Sequence, residues 1–128
     1  MGKLVGKYGR KYFQKVVAEG SSPTELWREL GEAGFLGVHI PEEWGGTGGG
    51  LSELYIVIEE CAAQGCPMLA LVIASICAPI IAAHGSEELK AKWLPGLADG
   101  SLRMAFGITE PDAGSNTHKV TTTARRTA

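Results

Sequence analysis

From Pro67 to Ala83 the chain carries one polar side chain, Ser75. A run this apolar needs cover on every side, from protein or from lipid. It falls short of the ~20 residues a membrane-spanning helix requires, and Pro79 interrupts it. The expectation is a helix buried among other helices, with no membrane span. A chain of 128 residues can supply those helices, since a domain of this size buries roughly two-thirds of its unfolded surface.

The rest of the first hundred residues reads as helix. Lys3, Lys7, Lys11 and Lys15 recur at four-residue steps, with Val5, Tyr8, Tyr12 and Val16 on another face. A basic amphipathic helix can serve as an organelle presequence or a membrane-surface contact. With one Arg and no Ser in the stretch, a solvated face on a first helix, about Leu4 to Ala18, is expected instead. The start also lacks the apolar core and small-residue cleavage site of a secretory signal. Gly20-Ser21-Ser22 breaks this helix. Ser22, Pro23 and Glu25 then offer a cap, a first-turn proline and a capping box for a second helix. Leu26, Leu30 and Ala33 face inward along it, and Gly34 ends it. Leu36 to Ile40 reads as a short extended piece stopped by Pro41.

The glycine-rich loop Gly45-Gly46-Thr47-Gly48-Gly49-Gly50 has neither the Lys-Ser/Thr of a P-loop nor dinucleotide-binding spacing. Leu51 to Gln64 alternates Leu54, Tyr55, Ile58 and Ala62 with Glu53, Glu59 and Glu60, a helical pattern. After the apolar helix, Ser86 caps another whose first-turn acids are Glu87 and Glu88. It closes at Asp99-Gly100.

Beyond Leu102 the pattern changes, and Met104–Ile108 and Val120–Thr123 read as strands. Between them lies Thr109-Glu110-Pro111-Asp112-Ala113-Gly114-Ser115-Asn116. Pro111 pushes Glu110 toward extended geometry, Gly114 leaves the main chain open, and Thr109 and Ser115 add hydroxyls. Two readings stay open from the residues alone. One is an ordinary surface turn. The other is a cradle for a polar heterocycle at one end and an anion at the other.

Charge and cysteine usage narrow the function classes. A net charge of −2 argues against nucleic acid as the main partner. Cys61, Cys66 and Cys77 lie in apolar surroundings and are odd in number, so reduced core thiols of a cytosolic protein are expected. No His/Cys spacing suggests a metal site.

Three stretches carry a family resemblance. The run Gly107 to Asn116 resembles the flavin-binding turn of the acyl-CoA dehydrogenase family. Leu26 to Gly46, with its Pro41-Glu42-Glu43-Trp44-Gly45-Gly46 loop, is similar to that family's first helix pair and the loop after it. Gly85 to Lys90, Trp93-Leu94-Pro95 and Leu97-Ala98-Asp99-Gly100 give a third match. The order and separations also fit, so the resemblance covers nearly the whole chain.

The resemblance implies a mostly α chain: an N-terminal helical bundle domain, residues 1–101, followed by the first strands of an incomplete β-domain, residues 102–128. It implies FAD as cofactor, held by Phe106, Gly107, Ile108, Thr109, Gly114 and Ser115. Backbone near Phe106 and Ile108 would meet the flavin's pyrimidine edge and the Thr109 hydroxyl its reactive edge. Gly114 and Ser115 would approach phosphate oxygens, with Ser115 also touching the CoA substrate.

The implied reaction is α,β-dehydrogenation of acyl-CoA thioesters, of fatty-acid β-oxidation type. Electron-transfer flavoprotein would be the redox partner, and a dimer or tetramer the assembly. The compartment would be the cytoplasm, or the mitochondrial matrix in a eukaryote. The family's base is a glutamate on a C-terminal helical domain, so no catalytic residue is assigned here and Glu110 is expected to be structural. The acyl tail would run by Val72 to Ile76. His118 is expected to face solvent, and His39 and His84 to be loop or helix-end residues.

Departures from the family pattern are Asn116 for Asp, Asp112 for a small neutral residue, and the bulky His118-Lys119 pair. Alternatives on the same scaffold are a short non-catalytic interaction subunit and a relative of the flavin monooxygenases or nitroalkane oxidases. The fragment alone is expected to be inactive.

Overall fold

The computed structural model describes residues 1–125. Six α-helices occur among them: α1 (Gly2–Gly6), α2 (Gly9–Ala18), α3 (Thr24–Glu32), α4 (Leu51–Ala63), α5 (Leu69–His84) and α6 (Glu87–Asp99). Short 3-10 turns occupy Glu42–Trp44 and Thr117–Lys119. The mostly helical class expected from the patterning is therefore what folds.

The first helix departs from expectation by splitting in two. Gly9 takes φ +67°, a left-handed value that an unbroken helix cannot contain. The break still leaves Val5 and Val16 buried. Tyr8 and Tyr12 pack at a tilt of 57° with ring centroids 4.7 Å apart, and all four lysines face solvent. The Tyr8 hydroxyl and Lys7 Nζ both reach Glu29 on α3, at 2.8 and 3.2 Å.

The expected capping box at Ser22 does not form. Thr24 instead bonds back to the Ser22 carbonyl through its amide at 2.7 Å, which starts α3 one residue late, with Pro23 at the cap. At α4 the Gly50 amide donates to the Glu53 carboxylate at 2.7 Å, the half of a capping box that needs no side chain at the cap. This bond holds the Glu53 carboxyl below its ordinary range. At α6 the expectation is met: Ser86 Oγ accepts from the Leu89 amide at 3.3 Å.

Two apolar clusters form the core. The first gathers Val5, Leu26, Trp27, Leu30, Leu54, Val57, Cys61 and Leu71 from α1, α3, α4 and α5. The second joins Ile40, Ala78, Leu94, Leu97 and Ala98, with Trp44, Leu102 and Met104 packed against it. Each fully buried leucine contributes about 1.5–3 kcal/mol relative to exposure. All three cysteines are free and buried, and burial pushes each thiol above its ordinary pKa. They sit as core residues, in surroundings that disfavour the thiolate.

Three expectations of burial fail, the first at the end of α3, where Ala33, expected to face inward, is exposed. Along α5 only Leu71, Cys77 and Ala78 are buried, while Leu69 is 71% exposed and Val72 and Ile80 are exposed too. Among the described residues α5 has its main helix contacts with α4 and α6. Two neighbours cannot cover a helix that is apolar all round. On α4, Tyr55 faces outward at 70% exposure with Leu51 and Ile56 beside it; Ala62 is exposed as well. Leu36 to Ile40 forms consecutive turns instead of an extended piece, closed by the Ile40 amide on the Gly37 carbonyl at 3.0 Å.

Candidate functional site

The segment that leaves α6 is fixed to α3 before it becomes irregular. Gly100 adopts φ +81° at the end of α6, and its carbonyl accepts the Trp27 indole N–H at 2.9 Å. The Arg103 guanidinium lies 4.8 Å from the centroid of the same indole, within cation–π range. The Ser101 amide donates to Asp99 Oδ1 and the Leu102 amide to the Gly96 carbonyl, each at 2.8 Å. These contacts aim the chain along one side of the second apolar cluster.

From residue 103 to 109 no backbone–backbone hydrogen bond forms among the described residues. Phe106 and Ile108 are exposed, and so are Gly107 and Thr109. The strands expected at Met104–Ile108 and Val120–Thr123 are absent as ladders; the described residues hold one isolated bridge, Glu110 with Ala113. A strand needs a partner for its peptide groups, and these two runs do not pair. Residues 126–128, the end of the expected β portion, lie outside the described residues.

The turn at the centre of the motif is ordered. The Glu110 amide donates to the Ala113 carbonyl at 2.9 Å, and the Ala113 amide returns a bond at 3.2 Å. Ala113 is buried beneath them at 2% exposure. The Glu110 carboxylate accepts from the Thr121 amide at 3.0 Å, the Thr121 hydroxyl at 2.9 Å, the Thr122 amide at 2.7 Å and the Thr122 hydroxyl. Hydrogen bonds from Thr122 and Thr121 pull its carboxyl down to about 2. Glu110 is thus the structural carboxylate expected, not a free base.

Gly114 and Ser115 sit exposed beyond this turn, with open space where a Cβ on Gly114 or Gly107 would project. The expected ligand contacts are therefore exposed on both sides of the turn: Phe106, Gly107, Ile108 and Thr109 before it, Gly114 and Ser115 after it. Peptide groups with no partner, one hydroxyl beside them and an open glycine are what a flat heterocycle with a diphosphate tail would require. The residues fit such a group. A groove of about 730 Å³ lies elsewhere, between α3 and the end of α6, and is lined by Trp27, Arg28, Asp99 and Arg103.

His118 is exposed within its 3-10 turn, and His84 is exposed at the end of α5. His39 is different. It is half-buried, its Nε2 lies 3.3 Å from the Ala74 carbonyl on α5, and its buried Nδ1 has no partner. A carbonyl accepts only, so Nε2 carries the proton. The sequence signal available was its place between Val38 and Ile40.

Comparison with known proteins decides the family. The family model for the acyl-CoA dehydrogenase N-terminal domain matches residues 3–101. The chain belongs to the acyl-CoA dehydrogenase family. It is 54% identical, over 95% of its length, to the acyl-CoA dehydrogenase FadE12 of Mycobacterium tuberculosis, and spans 32% of that protein. It is 39% identical to the mitochondrial long-chain specific acyl-CoA dehydrogenase of Sus scrofa, covering 91% of this chain and 29% of that one.

The crystal structure of an acyl-CoA dehydrogenase from Geobacillus kaustophilus superposes with a TM-score of 0.81 at 31% identity, over 92% of this chain and 31% of that one. The chain thus spans about a third of the length of these acyl-CoA dehydrogenases. The FadE12 match, at 95% coverage, extends past residue 101 into the exposed segment beyond it. Among the described residues no helix is long and apolar enough to cross a membrane, and no cluster of side chains could hold a metal ion.

Proposed function

We propose that this chain is the N-terminal part of an FAD-dependent acyl-CoA dehydrogenase, with residues 1–101 as its helical domain and 102–128 opening a β-domain. The observation that carries the reading is the 54% identity to FadE12, which extends past residue 101 into the segment that holds the turn at Gly114. Bound FAD supplies the hydride acceptor for oxidation of the acyl Cα–Cβ bond.

This chain's own part is binding and orientation. Peptide groups near Phe106 and Ile108 hold the pyrimidine edge of the ring by hydrogen bonds. The Thr109 hydroxyl bonds to the ring's reactive edge and fixes its orientation. The Gly114 and Ser115 amides and the Ser115 hydroxyl take phosphate oxygens, and Ser115 also contacts the CoA moiety. The half-buried and exposed side chains from Val72 to Ile76 on α5 offer an aliphatic surface suited to an acyl tail. No side chain here is assigned as the base that removes the α-proton.

An acyl-CoA thioester is the substrate class, electron-transfer flavoprotein the electron acceptor and a homodimer or homotetramer the assembly. The cytoplasm, or the mitochondrial matrix in a eukaryote, is the compartment. The test uses the natural gene product, purified with added FAD and offered a panel of acyl-CoA thioesters with a redox dye. A yellow protein that bleaches the dye with at least one thioester supports the reading. A colourless protein that takes up no FAD and reduces no dye removes it.

A further inference from the structure

We propose that Glu110 is a positioning residue, whose side chain closes the base of a loop so that Gly114 and Ser115 are held ready for the cofactor's phosphates. The proposal rests on the flavin reading above and assigns a role that reading leaves open.

Glu110 is tied in two directions at once. Its backbone exchanges hydrogen bonds with Ala113 and closes the turn over Pro111 and Asp112. Its carboxylate takes the amides and hydroxyls of both Thr121 and Thr122. Everything from Pro111 to Val120 therefore lies in a loop whose two ends meet at one side chain. Within the loop the remaining bonds are local, Lys119 amide to Asn116 carbonyl and Val120 amide to Thr117 carbonyl at 3.2 and 3.1 Å. Among the described residues no other side chain ties its ends together. Ordering a loop costs backbone entropy. A loop already closed has met part of that cost before a ligand arrives.

The chemistry of the clamp requires a carboxylate of this length. All four of its partners are donors, and an ionised carboxylate accepts only. A glutamine would turn an amide N–H toward some of those donors. An aspartate, one methylene shorter, would not span the distance to Thr121 and Thr122. Gly114 and Ser115 make no side-chain hydrogen bond among the described residues and stay exposed, so the closed loop presents them unengaged.

The test compares the natural gene product with Glu110→Gln and Glu110→Asp. FAD affinity is read by quenching of flavin fluorescence, and loop order by hydrogen–deuterium exchange over 111–121 in the FAD-free protein. Both variants are expected to lose at least about tenfold in FAD affinity, equivalent to about 1.4 kcal/mol. Both should also exchange faster in that loop alone, with the global melting temperature little moved. The Asp variant separates reach from charge, since it keeps the charge and still fails. Should Glu110→Gln not fold, the Thr121→Val/Thr122→Val pair removes only two of the donors and reports the same two quantities more mildly. Unchanged affinity together with unchanged exchange in these variants overturns the proposal. If the natural protein takes up no FAD, the flavin reading fails, while faster exchange in the variants still identifies Glu110 as the clamp of the loop.

Discussion

The indole of Trp27 on α3 donates its N–H to the carbonyl of Gly100, 2.9 Å away at the end of α6. The bond fixes where the chain leaves the helical region and hence where the exposed segment begins. Trp27 is buried, with Arg103 over its ring. Replacing it by Phe keeps most of the apolar contact and removes the donor. Loss of one such bond costs about 0.5–1.5 kcal/mol. Trp27→Ala adds a cavity and costs about 3–5 kcal/mol. Thermal melts of the two variants should fall in that order, and a Phe variant as damaged as the Ala variant would refute the assignment.

Gly31 meets the other side of the same junction. A Cβ there would overlap the carbonyl oxygen of Asp99, which is backbone and cannot rotate away. In an unobstructed helix interior, Gly to Ala stabilises by roughly 0.5–1 kcal/mol. Overpacking typically costs about 1–3 kcal/mol, so the steric effect wins and Gly31→Ala should destabilise. A melting temperature at or above that of the natural protein would show that α3 and α6 are not this close.

His39 predicts a dependence on acid. Burial lowers its pKa below the ordinary 6.5, and the bond to the Ala74 carbonyl offsets only part of this. The unfolded chain therefore takes up the proton first as pH falls. His39's contribution to stability is complete above the ordinary value, and it drains away as pH drops through 6.5 toward the lower folded value. The melting temperature should fall between about pH 7.5 and about pH 5.5, and His39→Gln should flatten that fall. An identical pH dependence in the variant would rule His39 out as its source.

What could be read in advance follows how local each determinant is. The Ser86 cap and the left-handed ends at Gly34 and Gly100 depend on a few adjacent residues, and each forms. Ser22 is equally local, yet the helix starts with Pro23 at the cap and no side-chain cap bond, while the Thr24 amide bonds to the Ser22 carbonyl. The exposure of Leu69, Val72 and Ile80 depends on which helices lie beside α5, and periodicity carries no such information. The runs at 104–108 and 120–123 have strand-forming residues, but a strand is a property of two segments. The structural role of Glu110 came from the motif, whereas its partners at Thr121 and Thr122 could be found only in the fold. Nothing in the residues around His39 specified a bond to Ala74, far along the chain.

Tyr8 and Glu29 give the last prediction. The Tyr8 hydroxyl is pushed up to about 12, by burial first and then by its hydrogen bond to Glu29 and that carboxylate's charge. Glu29 in turn is held below its ordinary range by Tyr8 and Lys7. Glu29→Gln removes the charge and keeps an acceptor, so Tyr8 should titrate lower but remain above its ordinary 10.0, because burial persists. Ultraviolet titration, with Tyr8→Phe to identify the transition, measures the shift. The cost in stability should be small, since Lys7 is largely exposed and its pair with Glu29 is screened. A Tyr8 transition unmoved by Glu29→Gln would mean that α1 does not dock on α3 through this contact.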